Sequence, residues 1–198
     1  MKNFLITQGC TGTYSLIGAV GKHFNYENTR SFNHHSRNAN NGAFTKESNV
    51  VYIFCNPYDY VLSCFRRWKN TDGVRSHNQQ CGGDNEYYVS KNYRGLEDFL
   101  SDPYDCFKYK EHADGYLHND QRKYNLLFVK YEVLSEYGIQ PILDFWNLSN
   151  DPNCFKFKQR SSNWKNESQE IKDLLEFKYG DVMKWYEELP LTQTFECS

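Results

Sequence analysis

The clearest pattern along the chain is a pair of short apolar runs, each followed by a turn and then by an amphipathic stretch. The first run is Asn3 to Thr7, and the turn after it is rich in Gly and Thr. The second run is Val50 to Phe54, and it leads into Asn56-Pro57. Continuous apolar runs of this length are typical of strands that are covered on both faces of a parallel sheet. The pattern therefore predicts two strand–turn–helix units.

The same periodicity predicts the remaining elements. Leu126 to Tyr131 is a third buried strand, and Thr29 to His35 is a further candidate strand. Helices are predicted over Thr13 to about His23, from Pro57 onward, and over Gly95 to Leu100, Ile139 to Trp146 and Ser168 to Leu189. Because strands alternate with helices, the predicted fold class is α/β: a three-layer α/β/α sandwich around a mostly parallel sheet of about four or five strands.

The length of the chain, 198 residues, predicts a single domain over residues 1–198. Within it, residues 70 to about 125 are expected to form a loop-rich excursion. Asn70 to Arg94 is polar and glycine-bearing, with Cys81-Gly82-Gly83 at its centre. Such a stretch is longer than an ordinary connection, so we expect a functional or mobile loop there.

Composition and charge narrow the range of partners. The formal net charge is −2, which argues against general nucleic-acid binding. Local basic clusters such as Arg66-Arg67 could still hold one anionic ligand. No apolar run is long enough to cross a membrane, and the first strand begins too early to leave room for a leader, so a cytoplasmic protein is expected. The sequence gives no information on oligomeric state.

The seven cysteines do not form a recognisable metal or disulfide pattern. Their number is odd and no two are spaced as a CxxC pair. Neither a zinc site nor a disulfide framework is therefore indicated.

The turn after the first strand is Gly9-Cys10-Thr11-Gly12-Thr13. Backbone N–H groups and a helix N-terminus converge in such a turn, and glycines allow a ligand to approach closely. An anion site is expected here. The turn is not a Walker A loop, because no Lys precedes a Ser or Thr at the required place, and this disfavours a nucleotide kinase.

The turn after the second strand carries the most specific motif, Cys55-Asn56-Pro57-Tyr58-Asp59-Tyr60-Val61-Leu62-Ser63. At this point the chain resembles the sulfotransferase superfamily. An Arg-Asn-Pro-x-Asp-x-x-x-Ser element of that family binds the 3′-phosphate of 3′-phosphoadenosine-5′-phosphosulfate (PAPS). Asn, Pro, Asp and Ser are in register, and Cys55 stands where the family has Arg. The resemblance implies that Ser63 binds the donor.

The glycine turn is similar to the 5′-phosphosulfate loop of the same family, which is usually Pro-Lys-Ser-Gly-Thr-Thr. With Gly12 and Thr13 aligned, Cys10 stands where the family has Lys. The resemblance implies that the whole turn binds the donor: Gly9, Cys10, Thr11, Gly12, Thr13 and Tyr14.

Further matches follow in the family's order over nearly the whole chain. Phe128 to Leu134 resembles a strand that ends in Arg-Tyr-Glu-Asp-Leu, and Asn163 to Asn166 resembles Gly-Asp-Trp-Lys-Asn. The helix near the C-terminus, with Tyr186-Glu187-Glu188-Leu189, is similar to the closing helix of many sulfotransferases. The resemblance implies that Arg160, before the second of these matches, also contacts the donor.

The resemblance implies a P-loop-type nucleotide-binding architecture and sulfuryl transfer. PAPS would be the donor and 3′-phosphoadenosine-5′-phosphate (PAP) the product, and the acceptor would be a hydroxyl or amine of a small molecule or carbohydrate. Such a site needs N–H groups, hydroxyls and cations aimed at the phosphates, together with a base for the proton of the acceptor. No metal is required.

Two histidines at the end of the candidate strand, His34 and His35, are the proposed bases. The cytosolic branch of the family keeps Lys-Thr-His at this place. Side chains alternate along a strand, so one of the pair is expected to face the cleft. His118 is the second choice.

Two cysteines depart from the family pattern. A neutral thiol at Cys10 or Cys55 does not replace the charge of Lys or Arg. Arg66 or Arg67 could supply a cation from the next turn of the helix. The departures also favour an alternative function, a catalytically degenerate nucleotide-binding or protein-interaction domain of the same fold.

Overall fold

The described residues form a four-stranded sheet at the centre of the structure. The computed structural model describes residues 2–9, 13–20, 35–40, 42–68, 70–149 and 162–197. The strands are β1 (Lys2–Thr7), β2 (Ser48–Phe54), β3 (Asn125–Lys130) and β4 (Thr192–Phe195), in that spatial order. The pairs β1–β2 and β2–β3 are parallel, and β4 is antiparallel to β3.

Helices connect and cover these strands. They are α1 (Thr13–Val20), α2 (Pro57–Arg67), α3 (Thr71–Gln80), α4 (Asn85–Lys91), α5 (Leu96–Leu100), α6 (Tyr109–Leu117), α7 (Tyr131–Tyr137), α8 (Gln140–Phe145) and α9 (Gln169–Glu188). A short 3-10 helix, Trp164–Asn166, precedes α9. The predicted strands and the predicted helices that fall on described residues are present with small shifts at their ends.

The sheet has a hydrophobic core on each face, because successive side chains of a strand point to opposite sides. On one face Leu5, Val51 and Leu127 pack with α1, α2, α8 and α9. On the other face Tyr52 and Phe128 pack with α6 and the end of α9. Helices therefore lie on both sides of a mostly parallel sheet, and the predicted three-layer α/β/α fold is confirmed.

The segment predicted to be loop-rich is instead largely helical. Residues 70–125 contain α3, α4, α5 and α6, so this expectation was wrong. Two of these helices, α3 and α4, begin with polar caps: the Asn70 side chain accepts from Gly73 N, and the Asp84 side chain accepts from Tyr87 N. Capping residues satisfy the N–H groups that a helix start leaves unpaired. For α3 and α4, the local sequence signal was therefore the capping residue before each helix.

The strand predicted over residues 29–35 lies almost entirely outside the described residues. His35, its last residue, is in a turn.

Candidate functional site

A buried imidazole lies at the carboxyl end of β1. The Nδ1 atom of His35 is 2.9 Å from the carbonyl oxygen of Thr7 and 3.1 Å from its hydroxyl. A carbonyl oxygen only accepts hydrogen bonds, so this contact puts the proton on Nδ1 and the lone pair of the neutral ring on Nε2. The N–H of Gly9 donates to the same hydroxyl at 3.3 Å. Thr7 thus joins the turn after β1 to His35.

A second imidazole borders the same turn. His77, on α3, is 4% exposed, and its ring centroid is 5.7 Å from that of His35. Gly9 has a φ of +80°, and a Cβ added there would lie 2.2 Å from His77 Cε1. The position therefore requires glycine twice, for its backbone conformation and for the space that His77 occupies. The thiol of Cys81 donates to the carbonyl oxygen of Gln8 at 3.2 Å and closes this side.

The main chain beside the first imidazole is anchored by α6. The Nε2 atom of His112 lies 3.0 Å from the carbonyl oxygen of His35, and the Tyr52 hydroxyl lies 2.6 Å from His112 Nδ1. Burial lowers the pKa of His112 to about 4, so its ring is neutral at pH 7. The Tyr116 hydroxyl donates to the carbonyl oxygen of Ser36 at 2.7 Å. Residues 35 and 36 are therefore fixed to the helix packed on the sheet.

The specific sequence motif forms the start of α2. The Asn56 side chain caps the helix and accepts from Tyr58 N at 2.9 Å and from Asp59 N at 3.3 Å. Pro57 occupies the first turn, where its missing N–H costs no hydrogen bond. The Asp59 carboxylate accepts from the N–H of Trp164 at 2.8 Å. The motif thus ties the end of β2 to the segment before α9.

One face of α2 carries polar side chains toward that segment. Asp59, Ser63 and Arg66 follow one another at helical spacing, so they lie along one stripe. The Arg66 guanidinium donates to Ser162 Oγ at 3.1 Å, and its Nη2 is 3.4 Å from Glu167 Oε1. Ser63 is half-buried between the two ends of the stripe. We call Asp59, Ser63 and Arg66 the polar stripe of α2.

A cleft of about 300 Å³ opens beside this stripe, at the carboxyl ends of β2 and β3. Its lining includes Asn56, Asp59, Tyr131, Glu132, Ser135, Ser162, Asn163, Trp164 and Lys165. Both carboxylates in the lining accept hydrogen bonds, Asp59 from Trp164 and Glu132 from the Tyr186 hydroxyl at 2.6 Å. Lys165 supplies a cation. With its hydroxyls, amide groups and cation, the cleft can hold a polar anionic ligand.

Two residues that match positions of the family's motifs, Cys55 and Lys130, are taken up by contacts inside the protein. Cys55 is 0% exposed and lies in the core, so its thiol does not reach the cleft. The ammonium of Lys130 donates to the carbonyl oxygen of Leu189 at 2.7 Å and lies 4.3 Å from the Tyr186 ring centroid. Burial lowers the pKa of Lys130. Neither Cys55, which stands where the family has Arg, nor Lys130 therefore offers a positive charge to the cleft.

The structure describes only part of the predicted site. Gly9 and His35 meet at Thr7, while Ser63 lies on the polar stripe of α2. Thr13 and Tyr14 are the first residues of α1, where only the backbone is described. Outside the described residues lie His34, Cys10, Thr11, Gly12 and Arg160. His118, the second-choice base, has a side chain that is 69% exposed and lies 3.7 Å from Asp114.

Sequence reasoning missed two histidines of this region. These are His77 and His112, which are both helical and at most 4% exposed. In α6, Tyr109, His112, Ala113, Tyr116 and Leu117 are buried at helical spacing. That periodicity, with His112 inside it, was the available signal.

The described residues hold no group of three or more His, Cys, Asp or Glu that could bind a metal ion. None of the described helices combines the length and apolar composition that crossing a membrane requires.

Comparison with known proteins gives one match. A family model described as "Sulfotransferase domain" matches residues 19–196. The matched region includes the polar stripe of α2, the cleft and His35, and it begins after the glycine turn. Searches of curated proteins and of solved structures each gave no match.

Proposed function

Because this chain belongs to the sulfotransferase family, we propose that it transfers a sulfuryl group from PAPS to a hydroxyl or amine. The acceptor is a small molecule or a carbohydrate. PAPS supplies the sulfuryl group, and PAP is released. The protein must hold two phosphate groups, orient the acceptor and take its proton.

The observation that carries this proposal is His35 at the carboxyl end of β1. Its Nδ1 atom donates to the Thr7 carbonyl oxygen at 2.9 Å, which leaves the basic lone pair on Nε2. A neutral, oriented imidazole is the group that general-base catalysis needs near pH 7. We therefore assign His35 as the base. His34, the other member of the pair, remains the alternative.

Donor binding is assigned to two places. The turn Gly9 to Tyr14 would contact the 5′-phosphosulfate through backbone N–H groups and hydroxyls. Ser63 and Arg160 would contact the 3′-phosphate. Arg66 is the proposed replacement for the cation missing at Cys55, since it lies one helical turn from Ser63 and already reaches Ser162 beside the cleft.

The second candidate function is a catalytically degenerate nucleotide-binding or protein-interaction domain. A specific observation favours it: Cys55 is buried in the core and cannot contact a phosphate. The neutral Cys10 in the donor turn points the same way. Under this alternative the chain keeps the fold and lacks turnover.

The first test is calorimetric titration of the protein with PAP, with ATP and Mg²⁺ as the control. We expect binding of PAP in the micromolar range, about −8 kcal/mol, without metal. Ser63→Ala and Arg160→Ala should each weaken it by about 1–3 kcal/mol. Ser90→Ala is the matched control, because this exposed serine lies on α4 and donates only to its own helix, at Tyr87 O.

Turnover is measured next, with PAPS and a panel of hydroxyl and amine acceptors. Formation of PAP that depends on an acceptor supports the transferase. Cys10→Lys, which restores the family's cation, should raise the rate if the donor turn works as proposed. Binding of PAP without turnover for any acceptor, also in Cys10→Lys, would favour the degenerate domain, and loss of both would remove the donor site.

A further inference from the structure

The proposed base is held by two buried side chains that no family motif includes. We propose that Tyr52 and His112 are positioning residues, which fix the main chain of His35 and thereby aim its Nε2 atom. This inference rests on the proposed function, because it takes His35 as the base. Both residues act through His35 and not by contact with a substrate.

The direction of each hydrogen bond follows from chemistry. The carbonyl oxygen of His35 only accepts, so His112 Nε2, 3.0 Å away, carries the proton. A neutral imidazole has one N–H, and His112 Nδ1 must therefore accept. The Tyr52 hydroxyl, 2.6 Å away, donates to it. Burial raises the pKa of Tyr52 well above its ordinary value, so the phenol keeps this proton.

The chain of hydrogen bonds begins at a rigid point. Tyr52 lies in β2, between β1 and β3. Its ring stacks on that of Phe128, with 5.1 Å between the ring centroids and an interplanar angle of 3°. The Tyr116 ring packs on it at 4.6 Å. Side chains packed in this way occupy one rotamer, so the hydroxyl has little freedom. The contact to His112 is therefore set by the sheet.

Two neighbouring strands hold His35 at two points. Its ring is bound to Thr7 in β1, and its carbonyl oxygen is bound through His112 to Tyr52 in β2. The two strands are parallel and directly paired. Fixing both the ring and the main chain of a residue determines where its remaining ring nitrogen points. One point alone would leave the imidazole free to swing.

The surroundings keep His112 neutral. The charged or titratable groups near it are Tyr52, Tyr116, His35 and Arg37. Arg37 donates to the carbonyl oxygens of residues 107 and 108, and its permanent charge opposes a second positive charge nearby. A protonated His112 would lose the bond from Tyr52. The arrangement is thus suited to a fixed donor and not to proton transfer by His112 itself.

The test uses three variants and nitrogen NMR of the full chain. His112→Gln keeps an N–H at the distance of Nε2, whereas His112→Asn places its amide too near the main chain of α6. Tyr52→Phe removes only the hydroxyl. With six histidines in the chain, the imidazole nitrogens can be assigned by substitution. We expect His35 to be protonated on Nδ1 in the native chain and in His112→Gln, and to become a mixture of tautomers in the other two.

Turnover of PAPS supplies the second measurement. His112→Asn and Tyr52→Phe should lower kcat about 10- to 100-fold with little change in KM for PAPS, and His112→Gln should recover most of it. The acid limb of the pH–rate profile, which belongs to His35, should persist in His112→Gln. A residue with only a structural role would lower kcat in step with the melting temperature in all three variants.

The outcomes separate the two proposals. An identical His35 tautomer in all variants overturns the positioning role, whether or not PAPS is consumed. A kcat that follows the melting temperature alone also overturns it. If the tautomers change as expected and the native chain never consumes PAPS, the hold on His35 stands, and the proposed function and the role of His35 as base both fall.

Discussion

The end of β1 and the polar stripe of α2 both carry polar side chains proposed for the site, but they differ in burial and in charge. Near the end of β1, His35, His77 and His112 are all at most 9% exposed, and their hydrogen-bond partners include hydroxyls, a thiol and backbone carbonyl oxygens. On α2, the Arg66 side chain is 45% exposed and carries a full charge. Burying a neutral ring costs little if it is hydrogen-bonded, whereas burying a lone cation is expensive. Orientation can therefore be built inside the protein, and anion binding must stay near its surface.

The largest effect on stability should come from placing a cation at a fully buried position. Cys55→Arg restores the family's residue, but the site is 0% exposed. We expect loss of about 4 kcal/mol of unfolding free energy or more, because the charge would be buried without a partner. Urea unfolding measures it, with Cys55→Ala as the neutral control. A stable Cys55→Arg chain that binds PAP more tightly would show that this buried position accepts a cation.

A drop in pH should destabilise the fold through the buried ring of His112. The pKa of His112 is about 4 in the fold and about 6.5 in an unfolded chain. Between these values the unfolded state binds more protons, so stability falls as the pH falls from about 6.5 to about 4, by up to ~3 kcal/mol from this group. Unfolding in urea at several pH values measures the slope. In His112→Gln the slope over this window should shrink; an unchanged slope would assign the effect to other groups.

The glycine at the end of β1 gives a smaller effect. Gly9→Ala adds a Cβ 2.2 Å from His77 Cε1 in a residue whose φ is +80°. We expect a loss of about 2 kcal/mol of unfolding free energy, from the left-handed conformation and the clash. Gly18→Ala is the matched control, since nothing lies within 4 Å of a Cβ there and the residue is helical. The two variants should change stability in opposite directions, and equal losses would argue against the packing of His77.

The smallest effect should come from a change in the polar stripe of α2, and it should appear in the affinity for PAP and not in stability. Arg66→Ala should weaken PAP binding by about 1–2 kcal/mol through loss of a charged hydrogen bond. Its stability should change little, because exposed ion pairs contribute about 0–1 kcal/mol. Arg75→Ala is the matched control: this arginine lies on α3, with a side chain 48% exposed and an ion pair within its own helix. Calorimetry with PAP that ranks the two variants equally would remove Arg66 from the donor site.

Sequence patterns predicted the parts of the fold that apolar side chains determine. Each of β1, β2 and β3 contains an uninterrupted apolar run, at residues 4–6, 50–54 and 126–129, and α9 repeats apolar residues at helical spacing with Ser168 as its cap. The Asn-Pro motif led to the family, and the match over residues 19–196 confirms that resemblance. These features are local or strongly periodic, so a single sequence suffices to read them.

Features that depend on tertiary packing were beyond the sequence. In α3, Val74 is the one aliphatic side chain among polar residues, and the helix is buried through His77 and Asn78. Lys130 and Lys178 are at most 8% exposed because backbone carbonyl oxygens receive their ammonium groups. Polar residues are buried only when distant partners satisfy them, and sequence spacing does not reveal those partners. The pairing of His35 with His112 is of this kind.

The order of the strands has a consequence for how the chain is made. Each described strand lies beside the one that precedes it in the chain, so a growing polypeptide meets a finished neighbour every time. The last strand, β4, leaves the ribosome about sixty residues after β3, several seconds later at about 5–20 residues per second. During that delay the open edge of β3 ends in Lys130, and a lysine on a bare edge discourages pairing with other nascent chains. Once the segment with β4 has been made, the carbonyl oxygens of Leu189 and Leu191 accept hydrogen bonds from the Nζ and the backbone N–H of Lys130. The lysine that protected the edge of β3 then helps to hold the last strand against it.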